Sequence, residues 1–178
     1  MACGYGCSDE GQQLDHVSPG PIGDPETLCR GAFGKGAHYN NAGVKPTFVR
    51  DRDLLAGELS VWRLHDGTEA EFEDIRIQLH SSPPPNNALW DVFGATAGEI
   101  RGIRVLANPD VQVLHAYDDC SVNSSDEKHP KHATLRICET LNPSDLNKDE
   151  PTYVEIRDAL VKIFRQNVLW SLPASERT

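Results

Sequence analysis

A chain of 178 residues, 38% hydrophobic and 25% charged, suits one domain with a real core and polar ends. Seventeen basic against 27 acidic residues give a formal charge of −10 and a pI near 5.1. That balance excludes a general binder of nucleic acid or of an anionic membrane, because both need a net basic face.

No run approaches the ~20 apolar residues of a membrane span. The opening Met-Ala-Cys-Gly-Tyr-Gly-Cys lacks the basic and apolar regions of a secretory signal. With that and five scattered cysteines, reduced thiols in a cytoplasm are expected.

Residues 1–27 read as a flexible Pro/Gly-rich arm, since Ser18-Pro19-Gly20-Pro21-Ile22-Gly23-Asp24-Pro25 suits neither a helix nor an interior strand. A single domain over residues 28–170 follows, then a disordered tail over 171–178. Residues 27–33 suggest a short strand and residues 47–49 another extended piece. Residues 59–64 give a clearer strand, with Leu59 and Val61 on one face and Ser60, Trp62 and Leu64 on the other. Apolar residues on both faces place it inside a sheet, so Ser60 needs a partner or a ligand.

Residues 66–80 form an amphipathic helix with a Thr68-x-x-Glu71 capping box and Phe72, Ile75 and Leu79 on one face. Its acids, Glu69, Glu71, Glu73 and Asp74, read as a solvated face. Strands are expected at 89–93, 103–106, 111–117 and 132–138, with a short turn or helix at 96–101. The last helix begins at Pro151, carries the stripe Tyr153, Ile156, Leu160 and Phe164, and frays near Trp170. The expected fold is α+β: a mixed twisted sheet of about six strands with two or three packed helices.

The chain is organised around residues 28–64. Residues 28–50 hold Arg30, Lys35, Lys45 and Arg50 and no Asp or Glu, with four glycines, His38 and Tyr39. Glycine lets the backbone approach a ligand, and backbone amides with nearby cations suit an anion. Gly31-Ala-Phe-Gly-Lys-Gly36 imitates a phosphate loop, but Ala37 and His38 follow where that loop needs Lys and then Ser or Thr. A looser anion site of Arg30, Lys35, His38 and backbone amides remains, against an ordinary solvated loop. Ser60 would line the pocket, and His132 would face it from a neighbouring strand.

A second cluster is His115, Cys120, His129 and His132, ligand types that zinc accepts. Its spacing is not that of a standard zinc motif, so no metal is assigned. His132 and Cys138, six residues apart on one strand, stand about 20 Å apart and cannot share an ion.

The ordered motifs Leu28-Cys29-Arg30, His38, Val44-Lys45-Pro46-Thr47-Phe48, Leu59-Ser60-Val61, Leu89-Trp90-Asp91-Val92-Phe93 and His129-Pro130-Lys131-His132-Ala133-Thr134-Leu135 resemble a family of small uncharacterised bacterial proteins. The long arm before Leu28 and the long loop before His129 depart from it. More remotely, the chain resembles the ADP-ribosyltransferase superfamily, including RES-type toxins that degrade nicotinamide dinucleotide. That resemblance implies that Arg30, Phe48 and Ser60 line a dinucleotide pocket; the family's catalytic Glu has no clear counterpart here. The expected function is a bacterial cytoplasmic domain binding an anionic, phosphate-bearing small molecule, with Ser60 and His132 as catalytic candidates and a toxin-like nucleotide- or NAD-directed transferase or hydrolase as the enzyme class. A non-catalytic, antitoxin-like protein-binding module is one alternative, and a zinc-binding domain using His115, Cys120, His129 and His132 is another.

Overall fold

The computed structural model describes residues 21–34, 36–81, 88–118 and 129–177. Its strands are β1 (Thr27–Phe33), β2 (Tyr39–Asn40), β3 (Gly43–Val44), β4 (Leu59–Leu64), β5 (Leu89–Thr96), β6 (Leu114–Tyr117), β7 (His132–Ile137) and β8 (Val168–Ser171). The α-helices are α1 (Asp51–Leu55), α2 (Glu69–Ser81), α3 (Ala97–Arg101) and α4 (Pro151–Gln166). β2 and β3 form a separate hairpin, and the other six strands form one sheet in the order β6-β7-β4-β1-β5-β8. The α+β expectation holds. Every ladder is antiparallel, so the sheet is not a mixed one. Among the described residues, no helix is long and apolar enough to cross a membrane.

The sheet is covered on both faces. One face carries Leu28, Ala32, Leu59, Val61, Phe93, Ala95, Leu114, Ala116, Ala133, Leu135 and Ile137, packed with Leu54 of α1, Ile100 of α3 and the α4 stripe. The other carries Cys29, Phe33, Trp62 and Val92 beneath Ile75 and Leu79 of α2. This double cover explains why β1 and β5 are buried almost throughout although an antiparallel strand is commonly wet on one side.

Helix α4 forms as its sequence dictates. Pro151 stands in the first turn, the Glu150 carboxylate accepts the N–H groups of Thr152 and Tyr153, and Tyr153, Ile156, Leu160 and Phe164 are fully buried. In α2, Thr68 Oγ1 accepts the Glu71 N–H, but the Glu71 carboxylate reaches past the expected box. It takes the N–H groups of His65, Asp66 and Gly67 at 2.8–3.0 Å. Glu71 is therefore a buried cap and not part of a solvated face.

Several expectations are corrected. Residues 46–48 make a 3-10 turn followed by α1, not an extended piece. Residues 103–106 form no strand; only an isolated bridge joins Val105 to Asn108. The last helix stops at Gln166, and residues 168–171 add β8 to the edge of β5. Beyond it, residues 174–176 form a 3-10 turn. Arg177 then donates to the Leu172 carbonyl and to Asp91, which also accepts from Tyr39 and Ser171. Of the arm, residues 21–27 are packed: Ile22 and Glu26 are buried, and Arg101 binds Asp24 and the Ile22 carbonyl; residues 1–20 lie outside the described residues. Cys138 is disulfide-bonded, which departs from the expectation of reduced thiols and is uncommon in a cytoplasm. Cys29 is free and buried, and burial, with Glu71 nearby, pushes its thiol up to about 12.

Gly34 shows how tightly the turn after β1 is packed. A Cβ there would stand 2.9 Å from the Trp90 indole, a rigid group held between Tyr39 and Arg177. Gly34→Ala is expected to destabilise the fold by about 1–3 kcal/mol through overpacking. The midpoint of urea unfolding reads this directly; an unchanged midpoint would mean that the indole shifts freely.

Candidate functional site

The two central strands part company. β1 pairs with β5 from Thr27 to Phe33, but with β4 only through Thr27, Leu28 and Cys29, opposite Leu64, Arg63 and Trp62. β4 instead continues with β7 from Leu59 to Trp62. Beyond Cys29 and Trp62 the sheet therefore opens as a fork. Carbonyls inside it have lost their ladder partners and need other donors.

Arg30 is the first residue past the paired stretch, and its guanidinium supplies one to β4 and two to the 3-10 turn over residues 46–48. Nε and Nη2 donate to the Phe48 carbonyl at 3.1 and 3.0 Å, and Nη1 donates to the Ser60 carbonyl at 2.5 Å. These bonds use three of the five guanidinium N–H groups. Burial, with Arg50 nearby and Asp53 opposing, lowers its pKa to about 10, so Arg30 is a cation at neutral pH.

His38 stands beside it. Its Nδ1 accepts the Phe33 N–H at 3.2 Å, and its ring lies edge-on to Phe48 with centroids 5.8 Å apart. Burial, helped by Arg30, Arg50 and Lys45, lowers its pKa to about 4. His38 is thus neutral at pH 7. Because Nδ1 is an acceptor, the proton sits on Nε2, which offers a hydrogen-bond donor and no charge.

The second pair grows from the β4–β7 register. Trp62 faces His132 and Ser60 faces Thr134, so Ser60 and His132 are diagonal neighbours on one face. Ser60 Oγ stands 2.5 Å from His132 Nε2. The rings of His132 and His129 both meet Trp62 edge-on, at 5.6 and 4.8 Å. In the tautomer with Nε2 bare, the Ser60 hydroxyl donates to it and the imidazole is placed to accept that proton. His132 is buried while Ser60 is only half-buried, so the hydroxyl is the more accessible partner.

The four sequence-predicted side chains thus fall into two pairs, joined where Arg30 grips the Ser60 carbonyl. Phe48 contributes its carbonyl; its ring is fully buried and packs against Phe93 and Phe164. Lys35 lies outside the described residues. So does Cys120 of the zinc alternative. His115 sits opposite Arg136, four positions along β7 from His132 or about 13 Å, and its Nε2 faces Cys138 Sγ at 3.5 Å. His115 and His132 therefore cannot share an ion, and among the described residues no group of three or more His, Cys, Asp or Glu is arranged for a metal.

Sequence reasoning missed the charge that steadies the fork from behind. Asp53 of α1 pairs with Arg50 at 3.4 Å, so the acid-free segment finds its counter-charge just past its end. It also missed Arg63, fully buried and bound to Glu26 at 2.5 and 2.9 Å and to Asp118 at 2.9 Å. A charged residue in an interior strand was the available signal.

Fold and site together define an α+β domain with a forked antiparallel sheet, a buried arginine in the fork and a serine–histidine pair across β4 and β7. Comparison with protein-family models, curated proteins and solved structures finds no match.

Proposed function

We propose that the fork between β1 and β4 binds an anionic, phosphate-bearing small molecule, and that the protein is a nucleotide- or NAD-directed transferase or hydrolase of a toxin-like kind. The observation that supports this reading is the Arg30 guanidinium held in the fork by the Ser60 carbonyl, with Ser60 Oγ 2.5 Å from His132 Nε2. The cation lies on the face of Leu28 and Ala32 and the hydroxyl with its base on the opposite face beside Trp62, so a ligand that meets both spans the break in the sheet. Arg30 uses its remaining N–H groups on the anion, and His38 adds the Nε2–H donor. His132 Nε2 accepts the proton of the attacking hydroxyl, whether that of Ser60 itself or of a water or acceptor that Ser60 orients, and the leaving group departs with a proton from the resulting imidazolium. The ADP-ribosyltransferase resemblance supplies the dinucleotide as the first substrate to try.

A thermal-shift screen with NAD, ADP-ribose and ADP tests this. A ligand present at about 100 times its dissociation constant stabilises the fold by about 2.7 kcal/mol, a clear rise in melting temperature. Ser60→Ala is expected to keep that rise and lose at least 100-fold in turnover of the bound ligand, the range typical of a removed acid–base partner. No rise with any of the three at millimolar concentration would sink the proposal. Co-purification with another protein, together with silence in the screen, would favour the protein-binding module instead.

A further inference from the structure

A cavity of about 470 Å³ lies outside the fork, between the β2–β3 hairpin and the C-terminal half of α4. It is lined by Val44, Pro46, Asp158, Val161, Lys162, Arg165 and Gln166. Its floor is apolar, made of Val44, Pro46 and the largely buried Val161. Its rim is polar and comes from a single helix. Lys162 and Arg165 are three positions apart, hence on one face of α4.

The charges on this rim are unevenly matched. The Asp158 carboxylate is held by Arg157 at 3.0 Å. Lys162 and Arg165 are both exposed and, among the described residues, neither has an ion pair or hydrogen bond of its own. On a chain of formal charge −10, two unmatched cations over an apolar floor are an asymmetry that packing does not require. Arg165 also leans toward the hairpin: a Cβ on Gly43 would stand 3.8 Å from its Nη2. Gly43 has a φ of +104°, a conformation other residues rarely adopt, so the turn stays bare beneath the guanidinium.

We infer that this cavity is a second ligand site, one that takes a small molecule with an apolar body and a single oxyanion, carboxylate or phosphate. The apolar body lies on Val44, Pro46 and Val161, and the oxyanion meets Lys162 and Arg165. The volume falls in the ordinary range for small-molecule sites, as does a mostly apolar lining with a few convergent polar groups. A bare anion gains little here, because exposed cations attract it only weakly through water. A neutral apolar molecule forgoes the two cations. The combination is what the lining selects. This inference does not rest on the fork, because none of its residues belongs to the Arg30–His38 or Ser60–His132 pairs.

The test uses the full chain labelled with ¹⁵N and titrated with benzoate, phenyl phosphate, inorganic phosphate and benzyl alcohol. Saturable shifts of the Val44, Val161, Arg165 and Gln166 amides with benzoate or phenyl phosphate are expected. Inorganic phosphate and benzyl alcohol should bind at least tenfold more weakly. The exposed double variant Lys162→Gln/Arg165→Gln should weaken the two amphipathic anions tenfold or more, while Arg52→Gln, which removes an exposed cation that does not line the cavity, should leave them unchanged. Absence of shifts at these amides, equal binding of benzyl alcohol, or unaltered affinity in the double variant would overturn the inference. Because the readout is residue by residue, a silent fork beside a responsive cavity, or the reverse, separates this site from the one proposed above.

Discussion

Arg63→Met is expected to cost about 3–5 kcal/mol of stability, the range for removing one partner of a buried ion cluster. Arg63 is fully buried in the centre of the sheet, and its guanidinium serves two carboxylates at once: both oxygens of Glu26 and one of Asp118. Met keeps the bulk and removes the charge, leaving both acids desolvated. The same cluster joins residue 26, just ahead of β1, to β4 and to the residue after β6, so its loss loosens three segments together. Arg63→Lys should fail almost as badly, since a single ammonium cannot supply the two-pronged contact to Glu26. Urea unfolding at pH 7 measures the loss. A change below about 1 kcal/mol would mean that the carboxylates find water or other donors.

The pH dependence of that variant has a definite sign. Burial by itself would raise the Glu26 pKa, but the hydrogen bond and charge of Arg63, with a smaller share from His65, outweigh it and hold the folded value below 4.5. Glu26 therefore contributes stability that is present above pH 4.5 and is lost as pH falls through the lower folded value. Without Arg63, burial is opposed only by the smaller share from His65, and protonation relieves the variant. The gap between wild type and Arg63→Met should narrow on acidification, and adding Glu26→Gln and Asp118→Asn to the variant should recover part of the loss at pH 7.

Why some of this was legible in the sequence and some was not comes down to the range of the forces involved. The α4 stripe and the alternation Ala133, Leu135, Ile137 are local patterns imposed by one buried face, and both appear as expected. β8 could not be read that way. Val168-Leu169-Trp170-Ser171 follows α4 with only Asn167 between and no Gly or Pro to announce a change. It is a strand because Asp91, Val92 and Phe93 offer it an edge, about 75 residues back along the chain. Thr47-Phe48-Val49 looks extended from its side chains, yet Pro46 starts a 3-10 turn and the core draws Phe48 into an aromatic group with Phe93 and Phe164.

The site divides in the same manner. Arg30, His38, Ser60 and His132 stand out by residue type and position. That Ser60 meets His132 depends on the β4–β7 register, in which a slip of one residue would turn the two to opposite faces. The fork depends on where the β1–β4 ladder ends, which no local pattern records. Nor does composition reveal protonation. His38 counts as part of a cationic segment in the sequence, and it is that very segment, folded around it, that keeps it uncharged.

Acidification should therefore destabilise the protein through His38 between pH 6.5 and about 4. In the unfolded chain His38 takes up a proton near its ordinary 6.5, while in the fold it resists until about 4. Between those values the unfolded state binds more protons, so stability is full above pH 6.5 and falls as pH drops toward 4. At about 1.4 kcal/mol per pH unit the loss approaches roughly 3 kcal/mol. His38→Asn isolates it, because the amide oxygen of Asn can still accept the Phe33 N–H but carries no proton to titrate. The difference between the stability curves of wild type and His38→Asn should slope through that window and be flat above it; Glu26 cancels because both proteins keep it. Imidazole ¹⁵N shifts give an independent reading, with Nδ1 bare and Nε2 protonated at pH 7 and no change until the pH nears 4. A His38 that titrates near 6.5 would be a cation under mild acid, and anion affinity at the fork would then rise as pH falls from 7 to 5.5. A neutral His38 makes the opposite demand: over that same interval its contribution to affinity at the proposed site stays constant, and the charge offered there comes from Arg30 and not from His38.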